Sequence, residues 1–302
     1  MLNITKSIKF SNFYKKLNLI SFILIILSVL ILIIKGLNFG VDFKGGTLIE
    51  IRTNDSVKIS DLRSAFSNMN LGDVTVKKFG KKNDYLVKIE TTSSKEDFIM
   101  KLNRKLSLSV GSEINFRRVE NVGPKVSNEL LKDGLLAITL SLAAMLFYIW
   151  IRFEWQFSLG AITAIIHDVL ITLGMFSLLS YEVNLSIVAA VLTIVGYSMN
   201  DTVVIFDRIR ENLKKYSKVS ISEISNISTN ETLSRTLITS VTTLLALTAI
   251  YIFGGAILKG FSFAMILGVI IGTYSSIFIA TPILNYTKVS QKTILKEDVE
   301  NN

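Results

Sequence analysis

The sequence predicts a polytopic α-helical membrane protein with six transmembrane helices and one extramembrane α+β domain. Half of the 302 residues are hydrophobic, the mean hydropathy is +0.48, and the apolar residues gather into six long runs. A helix needs about 20 mostly apolar residues to cross the bilayer core. A polar segment, 36–130, separates the first run from the other five and predicts the domain.

The six apolar runs define the expected spans. The first is too long for the core of a cleaved signal peptide and no small-residue cleavage site follows it, so we expect it to remain as a helix. The spans fall at 17–35, 134–151, 157–179, 185–206, 236–254 and 261–281. They leave an N-terminal segment 1–16, a helix bundle within 131–283 that includes a loop 207–235, and a C-terminal tail 284–302.

The distribution of Lys and Arg predicts the orientation. On the other side of the membrane from the N-terminus, the short loops carry only Lys259. On the N-terminal side the short segments carry fourteen such residues: Lys6, Lys9, Lys15, Lys16, Arg152, Arg208, Arg210, Lys214, Lys215, Lys218, Arg235, Lys288, Lys292 and Lys296. Because cytoplasmic loops are enriched in Lys and Arg, both termini and the loop 207–235 are expected in the cytoplasm, and 36–130 is expected to be exported. This asymmetry explains much of the net charge of +9, so we predict contact with membrane lipid but no nucleic-acid partner.

The exported segment carries four short stretches of partly alternating hydrophobicity, 47–53, 73–79, 85–90 and 113–119. Two stretches of helical periodicity lie between them: Leu62, Ala65, Phe66 and Met69 form the first, and Phe98, Ile99, Leu102 and Leu106 form the second. The predicted order is β-α-β-β-α-β, which is the split βαβ or ferredoxin-like arrangement.

The sequence lacks the residues that a disulfide framework, a zinc site, a nucleotide-binding loop or a serine nucleophile requires. The chain contains no Cys and one His, which argues against a disulfide framework and a zinc site. Its glycine pairs are not followed by the Lys-Ser/Thr of a nucleotide-binding loop, and no nucleophile elbow flanks a serine. We therefore expect no cofactor, no metal and no hydrolytic or redox site, and ATP is not expected as a fuel.

Three predicted spans contain ionisable residues, and these are the candidate functional residues. Placing an ionisable side chain in a membrane costs free energy, so such a residue usually has a partner or a function. Asp201 lies in span four, roughly 9 Å from the cytoplasmic end by helical rise. Arg235 opens span five, which runs in the opposite direction, so it is expected at a similar depth. Span three carries His167 and Asp168 about 15 Å from its cytoplasmic end.

Two interpretations of these residues remain open at this stage. Asp201 and Arg235 could form a structural salt bridge, with polar support from His167, Asp168, Asn200 and Thr239. Alternatively, burial favours the protonated carboxylate while Arg235 favours the ionised one, so that protonation releases the arginine and moves a helix. The spacing does not decide between a structural pair and a proton path, or between H⁺ and Na⁺.

Small residues recur at helical spacing in two spans, which predicts close helix contacts. Span six carries Ala264, Gly268, Gly272, Ser276 and Ala280. Span four carries a comparable stripe of Ser186, Ala189, Thr193, Gly196 and Asn200.

Six motifs in order resemble a known family. They are FGVDFKGGTLIEI after span one, VGPKVSNEL before span two, RFEWQFSLGAITAIIHDVLITLG in span three, VGYSMNDTVVIFDRIREN in span four, TLSRTLITSVTTL in span five and GTYSSIFIATPIL in span six. With six spans and one exported domain, they resemble the SecF branch of the SecD/SecF family, within the resistance-nodulation-division superfamily. Two positions depart from the family's usual residues: Ser127 replaces a glycine, and Glu231 replaces a glutamine and adds an acid near Arg235.

The resemblance implies a function in protein export. SecF proteins pair with SecD, work beside the SecYEG channel with YajC and YidC as further partners, and use the proton motive force to promote export of preproteins during or after the ATP-driven step. Carried over to this sequence, the family's membrane acid and arginine fall on Asp201 and Arg235. Asp42, Gly45 and Gly46 match its motif at the domain junction. The expected location is the bacterial inner membrane.

Two other functions remain as alternatives. The chain could be a non-conducting scaffold that links SecD and an insertase to the channel. It could also be half of a small-molecule efflux transporter, as in other members of the superfamily, although the exported domain is small for that activity.

Overall fold

The computed structural model describes residues 7–54, 57–69, 71–78, 83–90, 96–216 and 219–294. They divide into two compact units. The mixed unit comprises Phe39–Leu136 and Glu182–Leu185, and the helical unit comprises the remaining described residues.

The elements follow the chain in this order: α1 (Tyr14–Lys35), β1 (Asn38–Phe39), α2 (Val41–Lys44), β2 (Gly46–Arg52), α3 (Ile59–Ser67), β3 (Val74–Lys78), β4 (Asp84–Ile89), α4 (Glu96–Val110), β5 (Asn115–Val122), α5 (Pro124–Arg152), α6 (Trp155–Leu179), β6 (Glu182–Val183), α7 (Leu185–Lys215), α8 (Ile221–Phe253), α9 (Gly255–Ser275) and α10 (Thr281–Tyr286). A short 3₁₀ turn, Phe10–Phe13, precedes α1, and a π-helical turn, Ser276–Ala280, joins α9 to α10.

Six helical segments of the described chain are long and apolar enough to cross a membrane, which confirms the predicted number. They are Phe10–Lys35, Val126–Arg152, Trp155–Leu179, Leu185–Lys215, Ile221–Phe253 and Leu258–Tyr286. Five of them contain a predicted apolar run completely, and Ile221–Phe253 contains the run 236–254 except for its last residue.

Two of these helices continue into the segment 207–235 that the sequence predicts as a loop. α7 extends to Lys215, and α8 already begins at Ile221, where Ser220 Oγ accepts a hydrogen bond from Glu223 N. Arg208 binds Glu211 one turn later in α7. Hydropathy identifies only the apolar part of a helix, so a polar helical extension stabilised by a cap and by side-chain pairs escapes a search for apolar runs.

The mixed unit contains a four-stranded antiparallel sheet in the order β3-β4-β2-β5. From β2 to β5 the elements follow the order β-α-β-β-α-β. Alternate residues of β2 and β4 point into a core that also receives apolar residues of α3 and α4. Ile49, Ile51, Val87 and Ile89 are completely buried there.

Aromatic side chains pack α6, α7 and the turn between α5 and α6 together in the helical unit. Phe206 contacts Phe157 edge to face with ring centroids 5.1 Å apart, and Phe153 contacts both rings. These contacts hold the part of α7 that follows Asp201 against the beginning of α6. The fold thereby limits the positions that Asp201 can take.

Candidate functional site

Asp201 is buried within the helical unit, with 2% of its surface exposed. Its Oδ1 accepts one long hydrogen bond, 3.5 Å, from Asn200 Nδ2, and its Oδ2 has no hydrogen-bond partner among the described residues. Thr273 of α9 faces the carboxylate, but its hydroxyl donates to Val269 O at 2.8 Å and lies 2.8 Å from Ser240 Oγ. A hydroxyl has one hydrogen to donate, so Thr273 cannot donate to Val269 O and to the carboxylate at the same time.

Arg235, the expected partner of Asp201, is an exposed side chain of α8. It lies within electrostatic range of Asp201, but the two side chains do not approach within the 4.0 Å of a salt bridge. Within the described chain, Asp201 and Arg235 therefore do not form a salt bridge. Thr239 hydrogen-bonds the backbone of its own helix, at Arg235 O and Thr236 O, and not Asp201.

Glu231, the acid that the sequence analysis noted near Arg235, pairs with Arg208 instead of Arg235. Its Oε2 accepts hydrogen bonds from Arg208 Nε and Asn212 Nδ2, both at 2.7 Å. The polar extension of α7 supplies these two donors, and the extension was not predicted. Glu231 consequently ties α8 to α7 and leaves Arg235 without an acidic partner among the described residues.

Asp168 is also buried, with 1% of its surface exposed, but its carboxylate is fully hydrogen-bonded. Oδ2 accepts hydrogen bonds from Ser198 Oγ of α7 at 2.6 Å and from Ser275 Oγ of α9 at 2.8 Å. Oδ1 lies 2.8 Å from Nδ1 of the adjacent His167, whose ring stacks on Tyr274. One carboxylate thus connects three helices.

Two further hydroxyl groups extend this polar cluster: Thr202, which the sequence analysis did not select, and Ser276, which it selected only for helix packing. Thr202 Oγ1 and Ser276 Oγ lie 2.9 Å apart, and Ser276 also reaches the carbonyl oxygen of Ser198. Ser276 begins the π-helical turn, and Pro282 near its end has no N–H to donate. A proline within an apolar run was the available signal, because irregular helix turns of this kind often occur at functional sites.

The small residues of span six lie on the buried face of the helix. A Cβ at Gly268 would approach Ile194 to 2.2 Å, and a Cβ at Gly272 would approach Ser198 to 2.9 Å. α9 and α7 can therefore approach closely only because these two positions lack side chains. Ala264 and Ser276 are completely buried on the same face.

The stripe of span four has the opposite environment. Its members, Ser186, Ala189, Thr193, Gly196 and Asn200, are all exposed. A Cβ at Gly196 would meet nothing within 4 Å. Close packing within the described chain therefore does not require a glycine at this position.

The junction motif has a clear local structure. Gly45 and Gly46 have φ angles of 76° and 121°, in the region that favours glycine. A Cβ at Gly46 would lie 2.5 Å from the carbonyl oxygen of Ile89, on the neighbouring strand. Asp42 accepts a hydrogen bond at Oδ2 from Leu185 N at 2.9 Å.

These features define a class of protein: a multi-pass membrane protein that holds ionisable groups inside its helix bundle, a location typical of substrate or ion pathways. Among the described residues, no three His, Asp or Glu side chains converge as they would at a metal site. The C-terminal family model of the protein export membrane proteins SecD/SecF matches residues 103–290, and the SecD/SecF GG motif matches residues 30–57. The chain belongs to the SecD/SecF family of protein-export membrane proteins.

Named relatives agree with this membership. The protein translocase subunit SecF of Rickettsia bellii is 45% identical over 279 residues, which cover 91% of each chain. SecF of Cereibacter sphaeroides is 45% identical over 266 residues, covering 85% of this chain and 82% of that protein.

Solved structures of SecDF are similar to this chain. The SecDF crystal structure from Thermus thermophilus has a TM-score of 0.86 and 33% identity over 95% of this chain. A second SecDF structure, in a super-membrane-facing form, has a TM-score of 0.72 and 32% identity over 99% of this chain. This chain spans about 40% of the length of these SecDF chains.

Proposed function

We propose that this chain is an auxiliary, non-enzymatic subunit of the Sec preprotein translocase, which acts with SecD and uses the proton motive force to promote export of preproteins through SecYEG. Family membership and the translocase subunits among its relatives support the role in export. The observation that carries ion coupling is the buried carboxylate of Asp201, whose Oδ2 has no hydrogen-bond donor among the described residues.

The proposed coupling begins with this unsatisfied oxygen. A buried carboxylate without donors is costly as an anion, and a proton on Oδ2 removes the charge. An ionised Asp201 attracts Arg235 of α8, and a protonated one releases it. Protonation therefore changes the force between α7 and α8. Each proton that crosses the membrane supplies about 2.3 kcal/mol per 100 mV to such a cycle.

Asp168 has a supporting role in this proposal. Its bonds to Ser198 and Ser275 fix α7 three residues before Asp201 and α9 two residues after Thr273. Nδ1 of His167 lies 2.8 Å from the other oxygen of the carboxylate. We assign His167 and Asp168 to positioning, and Asp201 with Arg235 to coupling.

We propose that SecD contacts the exposed stripe of α7, which consists of Ser186, Ala189, Thr193, Gly196 and Asn200. Thr193 and Asn200 are polar and exposed on a helix that is otherwise apolar enough to cross a membrane, and Gly196 between them leaves space for another backbone. Polar and small residues in a membrane favour contact with a second helix. The SecDF relatives, in which one chain carries both names, support SecD as that partner. YajC and YidC are further proposed partners.

For the topology, we propose cytoplasmic termini and an exported segment 36–130 in the inner membrane, supported by the asymmetric distribution of Lys and Arg. For that segment we propose a ferredoxin-like domain. Its four strands are antiparallel in the order β3-β4-β2-β5, with one helix between β2 and β3 and one between β4 and β5.

The test is export into inverted membrane vesicles that contain SecD and this chain, with H⁺ and Na⁺ gradients applied separately. We expect wild type to export more preprotein with one of the gradients and Asp201→Asn to lose that increment, while ATP-driven export persists. Asp207→Asn is the matched control, because Asp207 lies on the same helix in an exposed pair with Arg152.

Each outcome separates the candidate functions. A normal gradient-dependent increment in Asp201→Asn, with normal insertion and SecD binding, would contradict ion coupling at Asp201 and favour the scaffold. The gradient that supports the increment in wild type identifies the ion. Export that depends on the presence of the chain but is the same with and without either gradient would also favour the scaffold.

A further inference from the structure

Segment 8–13, which precedes α1, lies against the polar arm of α8, residues 221–234. Phe10 of this segment is 7% exposed, and its ring meets Phe278 edge to face with the centroids 6.0 Å apart. Ile224 of the arm is completely buried in the same hydrophobic core. A buried aromatic ring contributes a large apolar area, so Phe10 fixes the segment to the helix bundle.

Two asparagines of the arm hold the backbone of this segment. Asn230 accepts a hydrogen bond at Oδ1 from Ile8 N and donates one from Nδ2 to Ile8 O, both at 2.8 Å. Asn226, one helical turn earlier, accepts at Oδ1 from Ser11 N and donates from Nδ2 to Ser11 Oγ, both at 2.9 Å. Each carboxamide thus uses both its acceptor and its donor on a single residue, which fixes the register of the segment along α8.

A second set of contacts ties the same arm to α7. Asn212 Nδ2 donates to Ser228 Oγ at 2.9 Å, and both residues are buried. Glu231 accepts hydrogen bonds from Arg208 and Asn212. The arm of α8 is therefore held by two partners, segment 8–13 and α7.

We propose that Asn226 and Asn230 are positioning residues that keep the polar arm of α8 attached to segment 8–13 throughout the export cycle. Arg235 follows Asn230 by five residues of the same unbroken helix, about 7.5 Å along its axis. An attached arm fixes the backbone at Arg235, so a change in the charge of Asp201 moves the arginine side chain and the helix beyond it, but not the arm. This inference rests on the proposed function, because it identifies the part of α8 that stays in place when Asp201 gains or loses a proton.

The first experiment measures the attachment itself, independently of export. Hydrogen exchange at the amides of Ile8 and Ser11 is compared in the purified protein for wild type, Asn226→Ala/Asn230→Ala and Asn12→Ala. We expect the double variant to raise exchange at both amides about fivefold, the factor that corresponds to one ordinary hydrogen bond. Asn12→Ala is the matched control, because Asn12 is an exposed asparagine of the same segment. Unchanged exchange in the double variant would overturn the proposal.

The second experiment tests whether the attachment stays closed, in the vesicles described above. The chain contains no Cys, so the two thiols of Ser11→Cys/Asn226→Cys are the only ones in it and can be joined by a short thiol-specific crosslinker. We expect the crosslinked variant to keep the gradient-dependent increment. The single Cys variants, treated with the same reagent, are the controls. Loss of the increment in the crosslinked variant alone would show that the attachment has to open, which contradicts the proposal.

A third variant tests whether coupling needs the attachment. Ser11→Cys/Asn226→Cys/Asn230→Ala removes the contacts of both asparagines. We expect it to lose most of the increment while ATP-driven export, insertion and SecD binding persist, and to regain the increment when the crosslinker is added. Because the crosslink forms after insertion, this rescue separates positioning from a role in folding. A variant that stays inactive after crosslinking would assign the asparagines to folding and overturn the proposal.

Comparison with Asp201→Asn separates this inference from the proposed function. If Asp201→Asn loses the increment but the triple variant keeps it without the crosslinker, the proposed function stands and this inference fails. If Asp201→Asn keeps the increment, the proposed function fails, while the exchange data still decide whether Asn226 and Asn230 hold segment 8–13.

Discussion

Asp168 and Asp201 are two buried carboxylates in neighbouring helices, and their surroundings differ in one respect. Asp168 has three polar groups within hydrogen-bond distance of its carboxylate oxygens, from Ser198, Ser275 and His167. Asp201 has one long contact with Asn200, and its other oxygen has no donor in the part of the chain that the structure describes. Burial alone, 1% against 2% exposed, does not distinguish them.

The comparison of Asp168 with Asp201 shows that hydrogen bonding can distinguish a structural carboxylate from a functional one. A buried polar group with all its partners fixes the packing around it, and removing it leaves those partners unsatisfied. A buried group that lacks a partner destabilises its surroundings until something binds, such as a proton, a cation or an arginine. We therefore expect Asp168 to be needed mainly for stability and Asp201 mainly for export.

The largest expected effect on stability is that of Asp168→Ala. The substitution removes the carboxylate that three buried groups of α6, α7 and α9 contact, and each buried donor left unsatisfied costs about 1–3 kcal/mol. The measurement is the free energy of unfolding of the purified protein in detergent. Asp207→Ala is the control, because it removes an exposed pair with Arg152 that is worth about 0–1 kcal/mol. Equal effects of the two substitutions would show that the Asp168 network contributes little.

A smaller effect is expected when only one donor to Asp168 is removed. Ser275→Ala deletes a completely buried hydroxyl that donates to the carboxylate at 2.8 Å. Hydrogen bonds to charged groups contribute about 1.5–3 kcal/mol, so we expect a loss of that size in the same unfolding measurement.

Thr242→Ala is the matched control for Ser275→Ala. Thr242 is exposed and its hydroxyl bonds within its own helix, to Ile238 O and Thr239 O. Surface substitutions of this kind usually change stability by less than about 0.5 kcal/mol. A loss of the same size for both variants would mean that Asp168 does not depend on Ser275.

The sequence predicted the spans better than the contacts between them. Hydropathy located all six helices because each contains a long apolar run, but it did not predict that α7 and α8 continue as polar helices or that Glu231 binds Arg208. The contact between His167 and Asp168 was not expected either, since adjacent residues of a helix do not face each other.

The contacts of the polar residues could not be predicted from the sequence either. A serine or threonine in a helix can bond its own backbone, as Thr239 does, or another helix, as Ser198 does, and the sequence pattern is the same for both. The bond from Leu185 to Asp42 joins residues 143 positions apart, so no local pattern indicates it. These choices are made by tertiary packing, which brings donors and acceptors of distant segments together.

The smallest expected change in stability, and the sharpest contrast with Asp168, is that of Asp201→Asn. Its Oδ2 accepts no hydrogen bond, so the substitution breaks none there and removes a buried charge that lacks a salt-bridge partner within 4.0 Å in the described chain. We expect the free energy of unfolding to stay within about 0.5 kcal/mol of wild type or to rise. Gradient-dependent export should nevertheless be lost. A destabilisation as large as that of Asp168→Ala would mean that Asp201 is a structural acid like Asp168, and the division between the two carboxylates would not hold.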